Sequence, residues 1–463
     1  MKDVKYKLDK HLKEPLYIQL YNHFKKDILS GNISDNERLP SRRNLSQTLG
    51  LSKNTVELAY QKLVDEGYAV SHSRSGYYAR QSSPLNADIS EPDFYDTTGI
   101  IYTMSQNGVD AGLIPKDAIT KIYREFIYDI GDLLPFGHKY GETKLRKAIS
   151  HLLYELHGVS AAADRIIIGA GSDYLLQQLT HVLGPDAVIG FENPPFARSY
   201  IPVKNSGRRV ELINTGMDFF PMAELHASDI NVMYVSPCCQ FPTARQLSKE
   251  QRAELLSWAD AGPDRYIIEA GFDADFSVKS SPGPLLAENA EKVIYLGGFS
   301  RTVIPSFKTS YIVLPEKLKE KFNERLPYYT NLSSRLEQQV IAGYIQSGKY
   351  QRHTERLERV YAEKQQTLLN ALKSSAIAPH LTLYSGGSGT FIVLAVNNGM
   401  TEAELRSSAA ENGVKIIPLS LCSISYNKYI PKNSFILGYG ELKQNEITDA
   451  VSHLVKAWSP AAQ

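Results

Sequence analysis

Between residues 165 and 315 the chain repeats one device. Six short apolar runs, RIIIGAG, AVIGF, INVMYVSP, RYIIEAG, KVIYLGG and SYIVLP, alternate with longer helical patterns. A strand that is apolar on both sides must be covered on both faces. A helix between successive strands supplies both the cover and the crossover. The pattern predicts a mainly parallel sheet in an α/β layer architecture. After about residue 315 a long helical stretch runs to 374, and GTFIVLAV onward mixes strands and helices as a smaller α+β domain does. At 463 residues, with 43% hydrophobic and 22% charged residues, the chain has material for more than one core.

The first eighty residues have a different character. EPLYIQLYNHFKKDILSG spaces Leu16, Leu20, Phe24 and Ile28 four apart, a buried helical stripe, with Gly31 as its stop. LPSRRNLSQTLGLSKNTVELAYQKLVDEGY then predicts two helices joined by a tight turn. Ser41 caps the first, Gly50 ends it in a left-handed conformation, Ser52 caps the second and Gly67 ends that. YAVSHSRSGYYAR adds two short strands around a turn, so the segment reads as a helix-turn-helix with a wing. Residues 1–80 carry 14 Lys+Arg against 9 Asp+Glu, a balance of +5, which leaves about −4 of the chain's net +1 to the rest. That asymmetry points the head at an anion.

Lys53, Asn54 and Thr55 open the second helix of the turn, where polar side chains reach base edges. Arg42 and Arg43 open the preceding helix and face phosphates, Arg74 and Gly76 form the wing, and Ser52 completes the expected DNA-binding set. The stretch RQSSPLNADISEPDFYDTTG is polar, proline-bearing and aperiodic, and reads as a linker over 80–99. The division expected is a winged helix-turn-helix domain over 1–79, the linker, and a domain over 100–463. The last splits into a large part (about 100–330) and a small part (about 331–463).

Other function classes find little support. Cys238, Cys239 and Cys422 make neither a disulfide framework nor a zinc spacing, so no metal site is expected. The vicinal Cys238–Cys239 pair reads as small buried residues rather than a redox couple. The N-terminus lacks the apolar core of a signal peptide, and no run approaches the length of a membrane span. A cytoplasmic location is the expectation.

The head resembles the winged helix of the GntR family of bacterial regulators. The matching residues are Leu39-Pro40-Ser41-Arg42, Leu49-Gly50, Ser52, Thr55-Val56, Ala59-Tyr60, Leu63, Glu66-Gly67 and Gly76. Joined by a linker to some 360 residues of α/β pattern, it resembles one subgroup, the MocR-type (GabR-like) regulators. The resemblance implies a fold-type-I aminotransferase-like domain, double-stranded operator DNA as partner and a head-to-tail homodimer. The landmarks occur in order: YGETKLRKAI, GAGSDYLLQQL, ENPPFARSY, SPCCQFPTA, IIEAGFDADF and GGFSRTVIPSFKTSY.

In that family the domain carries pyridoxal phosphate (PLP). Gly171 and Ser172 match the turn that holds the phosphate, Phe196 the residue that stacks on the ring, and Arg198 and Gln240 further pocket positions. The family's lysine follows Phe-Ser, and here Arg301 stands there; a guanidinium cannot form the aldimine. The aspartate that pairs with the pyridinium nitrogen matches Ala270. The tyrosine on the ring hydroxyl matches Phe272, a phosphate-binding arginine matches Lys308 and a phosphate-contacting tyrosine matches Phe136. Past Arg406 there is no arginine to grip a substrate carboxylate, and FILGYGEL is apolar where one could sit.

The expectation is therefore a regulator with no catalytic residues and no covalent cofactor, whose second domain dimerises. Two readings of the pocket stay open. Arg301 and Lys308 together call for a small anionic effector, or Arg301 pairs with Asp273 or Asp275 and fills the site. The rival functions are a PLP-responsive regulator with an atypical cofactor site and a PLP-dependent aminotransferase.

Overall fold

The computed structural model describes residues 6, 8–9, 14–29, 33, 36–65, 68–72, 76–79, 99–128, 130–384, 389–424 and 427–459. They belong to two compact units, Met1–Thr98 and Gly99–Gln463.

The head contains α1 (Leu16–Leu29), α2 (Arg42–Leu49) and α3 (Lys53–Asp65), followed by the antiparallel hairpin β1 (Ala69–His72) and β2 (Gly76–Ala79). Leu20, Phe24 and Ile28 of the predicted stripe are fully buried and share a core with Leu45, Val56, Tyr60 and Leu63. The predicted caps form. Ser41 Oγ accepts the Asn44 N–H at 3.2 Å, Gly50 ends α2 at φ 62°, and Ser52 Oγ accepts the Thr55 N–H at 3.0 Å. The expected stops at Gly31 and Gly67, the wing-tip Arg74 and the linker as far as residue 98 lie outside the described residues.

The second unit opens with β3 (Tyr102–Thr103), α4 (Lys116–Ile127) and α5 (Thr143–His157). It continues with β4 (Ile166–Ala170), α6 (Ser172–Leu183), β5 (Val188–Asn193), α7 (Ala197–Asn205), β6 (Arg209–Asn214) and α8 (Met222–Ala227). Next come β7 (Val232–Val235), α9 (Lys249–Asp260), β8 (Tyr266–Ala270), β9 (Val293–Gly298) and β10 (Thr309–Val313). The helices α10 (Glu316–Arg325), α11 (Arg335–Gln346) and α12 (Lys349–Lys373) follow. The chain then forms β11 (Leu381–Tyr384), β12 (Phe391–Val396), α13 (Glu402–Glu411), β13 (Val414–Lys415), β14 (Ile417–Pro418), β15 (Ser434–Gly438) and α14 (Gln444–Trp458).

Seven strands form one sheet in the order β4-β10-β9-β8-β7-β5-β6. All neighbours are parallel except β10, which runs antiparallel to β4 and β9. Both faces are buried. In β4, Ile166 and Ile168 join a core with Leu145 of α5, Leu255 of α9 and Val340 of α11, while Ile167 joins Leu179 of α6 and Phe322 of α10 on the other face. This alternation explains why the strand reads as an unbroken apolar run. β6 escapes the apolar pattern because RVELIN lies at the sheet edge and is largely half-exposed.

The small part is the antiparallel sheet β11-β12-β15-β14, packed against α12, α13 and α14. Its expected boundary near residue 331 needs correction. α11 and Tyr350 pack into the core of the large sheet, whereas Leu357 to Leu372 belong to the small part's core. The segment from Tyr102 to Leu113 also leaves the large part. β3 pairs with β13, the Gly438 N–H donates to the Met104 carbonyl at 3.0 Å, and Met104 and Leu113 are buried in the small part's core. Apolar burial decides both changes, because each segment goes where its side chains find cover.

Candidate functional sites

In the head, Lys53 and Asn54 are exposed at the opening turn of α3, and Thr55 is half-buried behind them. The capping bond from Ser52 fixes that turn. Arg42 is not free for phosphate alone. It forms an ion pair with Glu57 of α3, and Glu57 also accepts the Tyr77 hydroxyl of β2 at 3.0 Å. Arg43 has no ion pair among the described residues and is exposed. Gly76 sits at φ 108° at the start of the wing's second strand. There Arg38, which the sequence reading passes over, lays its guanidinium against the glycine and bridges to Tyr78. Its only sequence signal is its position one strand-length ahead of α2, where a winged fold adds a third wing strand.

The pocket residues gather at one end of the large sheet. Ala170↔Thr309, Gly298↔Ser310 and Ala270↔Leu296 are neighbours across β4, β10, β9 and β8. This register brings Gly171, Ser172 and Lys308 to one corner, and Ala270, Phe272 and Arg301 to strand ends nearby. Gly171 stands at φ 96° before α6, with Ser172 as the first helical residue. The Asp173 carboxylate lies 2.7 Å from where a Cβ on Gly171 would sit, so an acid occupies the first turn of that helix. Lys308 and Arg198 are exposed, with no ion pair among the described residues. Ala270 is buried and Phe272 half-buried. Phe196 sits edge-on to Phe241, with ring centres 5.4 Å apart.

Arg301 is held from three sides. Its guanidinium pairs with Asp273, which follows β8, and donates to the Thr390 hydroxyl ahead of β12 and to the Gln106 carbonyl at 3.0 Å. The Phe276 ring lies 5.8 Å from the guanidinium carbon. Asp275 is engaged elsewhere, accepting from the Tyr350 hydroxyl and lying 3.4 Å from His157 Nε2. Of the two aspartates the sequence offers, only Asp273 meets Arg301.

Gln240 is fully buried. Its amide nitrogen donates to the Glu192 carboxyl group and its oxygen accepts from Arg245 at 3.1 Å, so both ends of the amide are engaged in the core. Phe136 is 98% exposed. Ile436 of β15, inside the apolar stretch where a carboxylate-gripping arginine could sit, is buried with Met217, Cys239, Phe391 and Leu419. Cys238 and Cys239 are buried, and burial pushes the Cys238 thiol up to about 12, which suppresses thiolate chemistry. Among the described residues there is no His, Cys, Asp and Glu group arranged to hold a metal ion. No helix among them is long and apolar enough to cross a membrane.

Burial raises Glu192 to about 8, so it is protonated at neutral pH. Its folded pKa lies above the unfolded value. Its stabilising contribution is therefore complete below about 4.5 and is lost as pH rises toward about 8. Glu192→Gln should flatten the fall in thermal midpoint over that window, as differential scanning calorimetry across pH can check. An unchanged slope would refute the assignment.

The comparisons with known proteins agree with these two units. Residues 16–78 match the family described as bacterial regulatory proteins, gntR family. Over 97% of this chain and 98% of the relative, the sequence is 32% identical to an uncharacterized HTH-type transcriptional regulator, YdeL of Bacillus subtilis (strain 168). It is 24% identical to a probable rhizopine catabolism regulatory protein, MocR of Rhizobium meliloti, over 97% of this chain and 95% of that one. Among solved structures it is similar to an archaeal alanine:glyoxylate aminotransferase, with TM-score 0.68, 21% identity, and coverage of 77% of this chain and 90% of that one. A multiple substrate aminotransferase from Thermococcus profundus gives TM-score 0.68 at 21% identity, covering 78% and 92%. A gntR-type winged helix carried on an aminotransferase-like domain, with full-length likeness to named regulators, places this chain in the MocR-type branch of the GntR family of bacterial transcription regulators.

Proposed function

We propose that this regulator binds operator DNA as a cytoplasmic homodimer and that its aminotransferase-like domain works without covalently held PLP and without transaminase activity. The ion pair between Arg301 and Asp273 carries the reading. The resemblance puts a reactive lysine amine where Arg301 stands. A guanidinium stays protonated and is no nucleophile, and here its two terminal nitrogens already donate to a carboxylate, a hydroxyl and a carbonyl. Ala270 offers no partner to a pyridinium nitrogen, Phe272 no hydroxyl, and Asp173 adds negative charge at the helix end where the family takes phosphate. These residues do not fit covalently held PLP. Anion affinity at this end of the sheet rests on exposed Lys308 and the amides that open α6, and a small anionic effector there would bind without a covalent bond.

Exposed apolar side chains support the dimer. Leu134 (82%), Phe136 (98%) and Tyr328 (94%) lie on two segments tied by the Arg335–Pro135 hydrogen bond at 2.6 Å. Large apolar side chains so exposed would gain from burial against a second copy.

The purified protein should be colourless, and borohydride treatment after incubation with PLP should leave no pyridoxyl adduct on peptide mass analysis. Arg301→Lys alone should not restore tight binding, because two hydrogen bonds of about 1 kcal/mol each and the ring-nitrogen partner are still missing. An aldimine absorption band in the native protein, or a pyridoxyl group on Lys308, would show the reading to be wrong.

A further inference from the structure

We infer that Arg301 is an internal strut that holds the large and small parts of the aminotransferase-like domain in one closed arrangement. The inference rests on reading Arg301 as released from cofactor chemistry, and it gives the residue a different task. Asp273 belongs to the loop after β8 and Arg301 to the loop after β9, so their ion pair lies within the large part. The other acceptors lie across the boundary. Thr390 precedes β12 of the small sheet, and Gln106 lies in the segment that packs on β15. The Thr390 hydroxyl also donates to the Gln106 carbonyl at 3.2 Å, which ties the two crossing contacts together.

The chemistry suits an arginine. A planar guanidinium offers five donors in a fixed fork and can serve acceptors on three segments at once, whereas an ammonium is a point charge. Asp273 fixes the fork's orientation, and Phe276 packs near the guanidinium. Both ends of the ion pair are mostly withdrawn from water, at 18% and 13% exposure, so solvent screens it weakly.

The same boundary is closed at two further places. The Asn427 amide donates to the carbonyls of Asn193 at 2.6 Å and Thr215 at 2.9 Å. Met217, Cys239 and Ala244 of the large part share an apolar cluster with Phe391, Val393 and Ile436 of the small part. Side chains therefore tie the two parts at these places as well. In this arrangement Arg301 needs no ligand to keep them together.

Hydrogen exchange on the full-length protein tests this. Thr390→Val keeps shape and leaves the Arg301–Asp273 pair intact while deleting the hydroxyl that crosses the boundary. Amides of 104–108 and 389–396 should exchange about tenfold faster in this variant, as losing a hydrogen bond to a charged group implies, with 266–270 of β8 unchanged. The paired variant Arg301→Gln with Asp273→Asn, which leaves no unmatched charge, should loosen the same segments. Exchange in 104–108 and 389–396 indistinguishable from the unaltered protein in both variants would overturn the strut. Absorbance of the same samples keeps the two readings apart. A yellow unaltered protein defeats the cofactor reading, whereas a colourless one with unmoved exchange defeats the strut alone.

Discussion

Lys364→Ala should destabilise the aminotransferase-like domain by about 3–5 kcal/mol, the loss expected when one partner of a buried ion pair is removed. Lys364 lies on α12 with its side chain 1% exposed, and its ammonium meets the Asp110 carboxylate at 2.8 Å and the Gly440 carbonyl at 3.2 Å. Asp110 keeps the Gly112 N–H, at 2.8 Å, when that cation goes, and with its side chain 13% exposed it regains little hydration in exchange. The urea midpoint of the domain should fall accordingly. Lys364→Met with Asp110→Leu should recover most of the loss, since no charge is then left buried alone. If Lys364→Ala unfolds at the same urea concentration as the unaltered protein, the pair does not hold the α12 region as described.

Operator binding should be abolished by removing residues 1–80, and the intact protein should sediment as a dimer that occupies two half-sites separated by about one helical turn of DNA or a multiple of it. Within the head the side chains separate by role. Arg43, exposed and without an ion pair among the described residues, is expected to neutralise a phosphate. Arg43→Ala should weaken specific and random DNA alike and lower the slope of log affinity against log salt by about 1. Asn54, at the exposed start of α3, should act on sequence instead, so Asn54→Ala should lose about 1–3 kcal/mol on the operator and little on random DNA. Arg42 should matter less to the salt slope than Arg43, because Glu57 already balances it. Operator binding that survives deletion of the head, or a stable monomer at micromolar concentration, would refute this arrangement.

The head was the most legible part of the sequence, because its signals are local. Ser41, Gly50 and Ser52 act on backbone groups within four residues of themselves, and each sits where its chemistry requires. The apolar runs of the large sheet are equally plain, since a strand buried on both faces carries few polar residues to confuse the pattern. β6 was missed for the opposite reason, as RVELIN carries an edge strand's mixed character. The allocation of 102–113 to the small part could not be read locally. It depends on a two-residue ladder with β13, some three hundred residues away.

At the pocket, the resemblance implies that Arg301 and Ala270 stand where the family has a lysine and an aspartate, but residue types do not tell what Arg301 meets. Asp273 and Asp275 were equal candidates by spacing, and only the capture of Asp275 by Tyr350 separates them. Gln240 likewise looked like a pocket residue by position, but its orientation toward Glu192 is a property of the packed core.

The ladder between β3 and β13 has a mechanical meaning. The tether from the DNA-binding head enters the second unit at Gly99 and is fastened almost at once, through Tyr102 and Thr103 against Val414 and Lys415, with the Ile101 and Tyr102 N–H groups both on the Gly413 carbonyl at 2.7 and 2.9 Å. The start of the second unit is thus fastened to the smaller of its two parts, not to the broad sheet. A pull along the tether loads a short edge ladder first and then β15, through the bond between Gly438 and Met104. Any displacement of the small part carries residues 101–104 with it.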